Sequence, residues 1–219
     1  MKNLIIVGGT AGVGKTATCR ELQKILPRNV FLDGDWCWDM RPFVVTGETI
    51  KMVEGNIAHL LNNFLGCSEF ENVIFCWVLH EQKILDDLIG RLNHNGCTIH
   101  RFSLVINKQA LSERLSHDIA RGIREPDIIE RSVARIPLYD ALDTVKIDVS
   151  TISPADTANR IIDLPGKGLA RQGPTGSWAR LLLLAMLRVS HHGRVPSWAT
   201  ASSAMPRDPL DANEWQEGQ

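Results

Sequence analysis

Gly9-Thr10-Ala11-Gly12-Val13-Gly14-Lys15-Thr16 decides the reading of this chain, because it fits the pattern G-x-x-x-x-G-K-[ST]. Glycines in such a loop let backbone N–H groups curl around a phosphate with no Cβ in the way. A helix that starts directly after the loop points its positive end at the same anion. Lys15 then reaches the β- and γ-phosphates, and the Thr16 hydroxyl is a Mg²⁺ ligand. The nucleotide-binding set is therefore Gly9, Thr10, Ala11, Gly12, Val13, Gly14, Lys15 and Thr16, with Thr18 early in the helix. The flanks supply the setting this motif requires. Leu4-Ile5-Ile6-Val7 is a continuous apolar run ending at Gly8-Gly9, as a buried parallel strand should. Residues 15–26 have helical spacing and stop at Pro27.

The same alternation continues outward. Short apolar runs at 30–32, 73–79, 99–106 and 145–149 read as strands. Between them, 48–65, 84–92, 109–118 and 127–142 read as helices, the last kinked or divided by Pro137. Ser153 as N-cap and Pro154 at the first helical position open a final helix to about Leu164. Strict β/α alternation predicts a three-layer α/β domain over 1–164, a five-stranded parallel sheet with helices on both faces.

Composition agrees with one such domain and excludes other classes. The chain has 219 residues, 44% apolar and 22% charged, with a formal net charge of -1. Residues 1–164 carry 18 basic and 21 acidic groups, and the remainder 6 and 4, so neither part reads as a nucleic-acid binder. The longest apolar run, 181–187, is far short of the roughly 20 residues a membrane span needs. The five cysteines all precede residue 98 and form no C-x-x-C, which favours reduced thiols and a cytoplasmic protein over disulfides or a zinc site. There is no signal-peptide pattern. From Leu164 to Arg207 no acidic residue occurs, and after Ile162 no Ile, Phe, Tyr or Cys. Residues 165–219 therefore read as a low-order extension. Three readings of it stay open: a partner-binding segment, a disordered appendage, or a stretch that is not the natural continuation, such as a shifted reading frame.

Phe31-Leu32-Asp33-Gly34-Asp35 follows the loop's helix. Ligands in open α/β sheets gather beyond the carboxyl ends of the strands, where Asp33 and Asp35 fall. A spacing of two places both on one side if the strand continues. One carboxylate can take the proton of an acceptor hydroxyl and the other can hold Mg²⁺ through water. The competing reading is a polar turn bent at Gly34.

With the loop, the "FLDGD" of 31–35, the arginine-rich 114–124 and the Lys146-Ile147-Asp148-Val149-Ser150 ending before Ser153-Pro154, residues 1–164 resemble small P-loop kinases of the nucleoside-monophosphate-kinase type. Adenylylsulfate, gluconate and shikimate kinases and chloramphenicol phosphotransferase belong to that circle. The chain is also similar to bacterial AAA-family ATPases and nucleotide kinases. The resemblance implies a P-loop NTPase fold with a small lid at about 114–126, and ATP and Mg²⁺ as cofactors. It implies that Asp35, with Asp33, contacts the acceptor or acts as its base, and that Thr16 and Asp35 serve the metal. Arg121 and Arg124, and less clearly Arg114, would close over the phosphates, where the competing reading is a solvated helix face. Residues 149–152 would border the adenine.

One departure matters. A Walker B strand should end in Asp or Glu, yet 73–79 holds neither, and His80-Glu81 follow. Either Glu81 serves, or Mg²⁺ rests on Thr16, phosphates, water and a strand-two aspartate. On the acceptor side, Trp36, Trp38, Met40 and Arg41 read as a grip for a ring or sugar bearing an anionic group, or as an aromatic flap packed on the second helix. Trp77 reads as core. The expected activity is transfer of the γ-phosphate of Mg-ATP to a hydroxyl or phosphate of a small molecule. The expected catalytic set is Lys15, Asp33, Asp35, Arg121 and Arg124. The expected partner is that small-molecule acceptor, with no nucleic acid and no membrane, in a monomer or homodimer. The alternatives are an ATPase or nucleotide switch acting on a partner, and an antibiotic-resistance protein that binds ATP.

Overall fold

In the computed structural model the opening apolar run forms β1 (Lys2–Gly8), whose last five residues are buried. The parallel strands β2 (Asn29–Asp33), β3 (Asn72–Cys76), β4 (Cys97–Val105) and β5 (Val145–Asp148) complete a sheet in the order β2-β3-β1-β4-β5. Val7 at the end of β1 is registered with Cys76 on one side and Phe102 on the other, so β1 is central and β2 an edge. Residues 2–164 and 168–171 are described, all within the unit Met1–Gln172. Nearly all of the extension expected over 165–219, including the apolar run 181–187, lies outside the described residues.

Helices cover both faces. On one, α1 (Lys15–Ile25), α4 (Lys108–Ala120) and α6 (Pro154–Asp163) bury Cys19, Leu22, Leu111, Leu115 and Ile161 against Ile5, Val7 and Phe102. On the other, α2 (Gly47–Gly66) and α3 (Gln82–Gly90) bury Val53, Ile57, Leu61, Leu85 and Leu88 against Leu4, Ile6 and Phe75. Alternate β1 residues thus serve opposite layers, as the pleat demands. Fully burying each such side chain contributes roughly 1.5–3 kcal/mol.

One strand is shorter than the sequence reading has it, and one helix is divided where that reading allowed for it. β3 ends at Cys76, three residues early. Beyond Cys76 the regular strand ends but pairing with β1 runs on for two residues, as Trp77 N donates to Val7 O (3.3 Å) and Gly9 N to Val78 O (3.2 Å), before Leu79 takes a left-handed φ of 42° and the chain turns away. Pro137, which lacks an N–H, divides the 127–142 helix into α5 (Ile128–Ala134) and a 3-10 turn, Ile136–Tyr139. Further on, Ser153 Oγ accepts from Asp156 N at 3.1 Å, the expected cap of α6. Packing runs slightly beyond Leu164: Leu169 is buried, and Arg171 bonds Asn159 (2.8 Å) and Asp163 (2.8 Å) on α6. All five cysteines are free thiols. Among the described residues no helix is long and apolar enough to cross a membrane.

Candidate active site

The loop between β1 and α1 is shaped by its glycines. Gly12 has φ 78°, and a Cβ there would lie 2.5 Å from Leu115 Cδ2. At Gly9, φ 151°, a Cβ would meet Val13 Cγ1 at 2.8 Å. The first turn of α1 has neither a capping side chain nor an acidic residue. Its N–H groups and positive end are therefore left for an anion, the arrangement a phosphate requires. Lys15 is 7% exposed and donates to Thr10 O at 3.1 Å. Thr10 is fixed in turn, its hydroxyl donating to Ser132 O at 2.9 Å from α5. Burial pushes the Lys15 pKa down, while Cys76, Asp35 and Asp33 pull it back up. A phosphate against Lys15 would oppose the same desolvation.

Asp33 and Asp35 part company. The strand stops at Asp33, so the same-side argument from extended spacing does not apply; Gly34–Trp38 is a 3-10 turn. Asp33 is 4% exposed, and its two oxygens accept from the Thr16 hydroxyl (2.6 Å) and from Asp35 N (3.1 Å). Asp35 is at the surface yet closely ringed by protein. Loss of surrounding water, then the Asp33 carboxylate, pushes its pKa up. Lys15, Arg124 and a hydrogen bond from Trp77 act the other way. Trp77 is thus half-buried beside the site, not simply core. Gly34 makes room for it, since a Cβ there would sit 2.6 Å from Trp77 Cγ. Sequence reasoning missed this contact, which joins residues 42 apart in the chain.

The carboxylate in contact with Thr16 is Asp33, not Asp35 or Glu81. Hard oxygen donors of this kind suit Mg²⁺. No group of three or more His, Cys, Asp or Glu among the described residues could hold a metal ion.

The arginines occupy three different settings. Arg114 lies inside α4 and pins two segments, donating to Val13 O (3.0 Å) and Val149 O (2.6 Å). Arg121 is the exposed C-cap of α4, followed by Gly122 at φ 71°. Arg124 pairs with Asp118 (3.2 Å), and its charge acts on both Lys15 and Asp35. A cavity of about 310 Å³ lies beside Gly12, Gly14, Thr18, Arg114, Val149 and Ile152. Thr18 and two of the residues expected to border the adenine thus share one hollow next to the loop.

His80 Nε2 lies 3.5 Å from Glu81, while its Nδ1 is buried with no hydrogen-bond partner; burial, then Arg135, pushes the ring's pKa down. Glu81 is the exposed N-cap residue of α3. On the acceptor side, Trp38 turns toward the α2 layer and Phe43 (ring centroids 5.9 Å), whereas Trp36 and Met40 line a second cavity of about 420 Å³ against α2. Arg41 is exposed and outside that lining.

The sequence matches the family described as AAA domain over residues 5–136, more than half of the chain. No curated protein matches. Among solved structures, the tunicamycin resistance protein of Deinococcus radiodurans is similar with a TM-score of 0.57 at 19% identity, over 78% of this chain and 99% of that one. A gluconokinase from Sinorhizobium meliloti 1021 gives 0.55 at 18%, over 87% and 98%. The shikimate kinase of Acinetobacter baumannii, solved with shikimate, gives 0.51 at 19%, over 74% and 90%. At these identities the likeness is one of fold.

Proposed function

The chain belongs to the AAA-domain family and has the fold of the small P-loop kinases, and from that premise we propose that it transfers the γ-phosphate of ATP to a hydroxyl of a small molecule. The observation that carries this reading is the convergence of three groups at the carboxyl end of the sheet. These are the glycine-shaped loop with buried Lys15, the Thr16–Asp33 pair, and Asp35 held with a raised pKa beside them.

The roles in this reading are as follows. Loop N–H groups and Lys15 hold the β- and γ-phosphates. Mg²⁺ would rest on Thr16 and Asp33 and, when bound, neutralises charge on the phosphate oxygens. Asp35 receives the proton of the acceptor hydroxyl, and its raised pKa improves it as a base. The acceptor oxygen bonds to the γ-phosphorus while the bond to the β–γ bridging oxygen breaks, and ADP leaves. Arg124, with Arg121, covers the transferring group and excludes water. Arg114 serves the base-side cavity instead. A kinase of this kind is expected to work in the cytoplasm, without nucleic acid or membrane, as a monomer or homodimer.

The test is labelled ATP with a panel of metabolites and, given the likeness to a resistance protein, antibiotics. Lys15→Ala is expected to remove transfer to any member that wild type labels. Transfer that survives unchanged overturns the assignment of Lys15. Rapid ATP hydrolysis indifferent to every acceptor favours a partner-directed ATPase instead.

A further inference from the structure

The 3-10 turn that presents Asp35 also forms one wall of the 420 Å³ cavity. Residues three apart share a face in such a turn, so Asp35 and Trp38 occupy one face, and Trp36 with Asp39 an adjacent one. Trp36, Met40, Met52 and Leu60 give the cavity apolar walls. Its polar groups are Asp39, Asn56 and His59, the last tied to Asn63 at 3.1 Å.

Among the described residues the lining contains no Lys or Arg, and its one acidic residue is Asp39. Arg20, stacked over the Phe31 ring (5.0 Å) and the Trp36 ring (5.3 Å), lies outside the lining, as does Arg41. A site for a phosphate or carboxylate needs the reverse, a forked or point cation facing the ligand. Beyond the turn, the chain exposes apolar surface, with Phe43, Val45 and Met52 at 67, 57 and 47%. Clustered exposed apolar residues beside a cavity suit a ligand with its own apolar body.

Building on the kinase reading, we propose that this cavity receives the body of the acceptor and selects a largely apolar alcohol that is uncharged or cationic. An acceptor already bearing a phosphate or carboxylate is rejected by Asp39, with no Lys or Arg among the described lining residues to offset that charge. This proposal differs from the sequence expectation in which Trp36, Trp38, Met40 and Arg41 grip a ring or sugar bearing an anionic group. The acceptor's hydroxyl gives its proton to Asp35, its oxygen bonds to the γ-phosphorus, and ADP departs.

Two arms test this on the full chain. In the first, dansylamide, dansylcadaverine and dansylglycine present one ring system as neutral, cationic and anionic probes. The first two are expected to bind, and dansylglycine at least about tenfold more weakly. Asn56→Trp, at an exposed helix position, fills the cavity and removes binding of all three; Asp39→Lys reverses the order of the charged pair. Dansylglycine binding as tightly as its partners, or an order indifferent to both variants, overturns the proposal. In the second arm, nucleosides, aromatic diols and amino alcohols are offered with labelled ATP, each beside its phosphorylated counterpart. Label is expected only on unphosphorylated members, and is lost in Asn56→Trp while ATP still raises the melting temperature. Label on a phosphorylated member overturns the proposal. ATP turnover without any acceptor, with the probe order intact, removes the kinase reading and leaves the charge preference of the cavity standing.

Discussion

The Thr16 hydroxyl donates to Asp33 Oδ2 at 2.6 Å, joining the first turn of α1 to the last residue of β2. This bond occupies both oxygens that an incoming Mg²⁺ would use. On the proposed reading such an ion would replace one short hydrogen bond with two ligand contacts, and its affinity would depend on the charge of Asp33.

Asp33→Asn should separate these roles. The amide can keep partners on both sides, so the melting free energy should move by about 1 kcal/mol or less. Metal-dependent nucleotide affinity should fall about 10- to 100-fold. Calorimetric titration with ATP in Mg²⁺ and in chelator measures the difference; an unchanged difference removes Asp33 from the metal site.

Asp35 gives a pH signature with a definite sign. Its folded pKa is raised, so the folded state favours the protonated form. The stability linked to that preference is complete below the unfolded carboxylate value and is lost as pH rises through the folded value. Asp35→Asn should therefore melt higher than wild type at about pH 7, with the gap closing near about pH 3. Transfer by wild type should fall on the acid side through the raised pKa, and the variant should lose both rate and that limb. Thermal scans and pH–rate profiles check the two halves independently.

Arg114 ties Val13 O to Val149 O. Arg114→Met leaves two carbonyls without their charged donor and should cost about 1–3 kcal/mol in urea unfolding. ATP affinity should fall as well, because the loop and the cavity beside Val149 lose their common strut. Arg114→Lys should recover little, since one ammonium cannot reproduce the fork. Equal recovery by Lys would show that charge alone matters here.

Gly12→Ala combines a φ of 78° with a Cβ placed 2.5 Å from Leu115 Cδ2. A loss of about 2 kcal/mol or more is expected. Adding Leu115→Ala removes the clash but not the backbone strain, so the pair should cost less than the sum of the singles. Strict additivity in denaturant melts would count against the clash.

Much of this was legible in the residues. Apolar runs bounded by glycines and prolines placed all five strands, and the G-x-x-x-x-G-K-T loop located the nucleotide side. What escaped were contacts between residues far apart in sequence. Periodicity describes one segment at a time, so it could not show Arg114 reaching back to Val13, Thr10 reaching Ser132, or Trp77 meeting Asp35. The turn at Gly34 was visible as a possibility, but the separation of Asp33 from Asp35 depended on where β2 loses its strand geometry.

The sheet order also bears on how the chain can change over time. β1, which feeds the glycine-rich loop, is paired on both sides, whereas β2, which feeds the 3-10 turn and the cavity proposed for the acceptor, has β3 alone as neighbour. Doubling the length of the segment after the 3-10 turn, 39–46, adds only about 0.6 kcal/mol of closure entropy. Insertions there leave the pairing of β1 untouched. If the proposed function holds, acceptor choice would be modular: mutation could rewrite the edge while the central strand keeps the nucleotide loop, and a change of substrate need not pass through a form that has lost ATP.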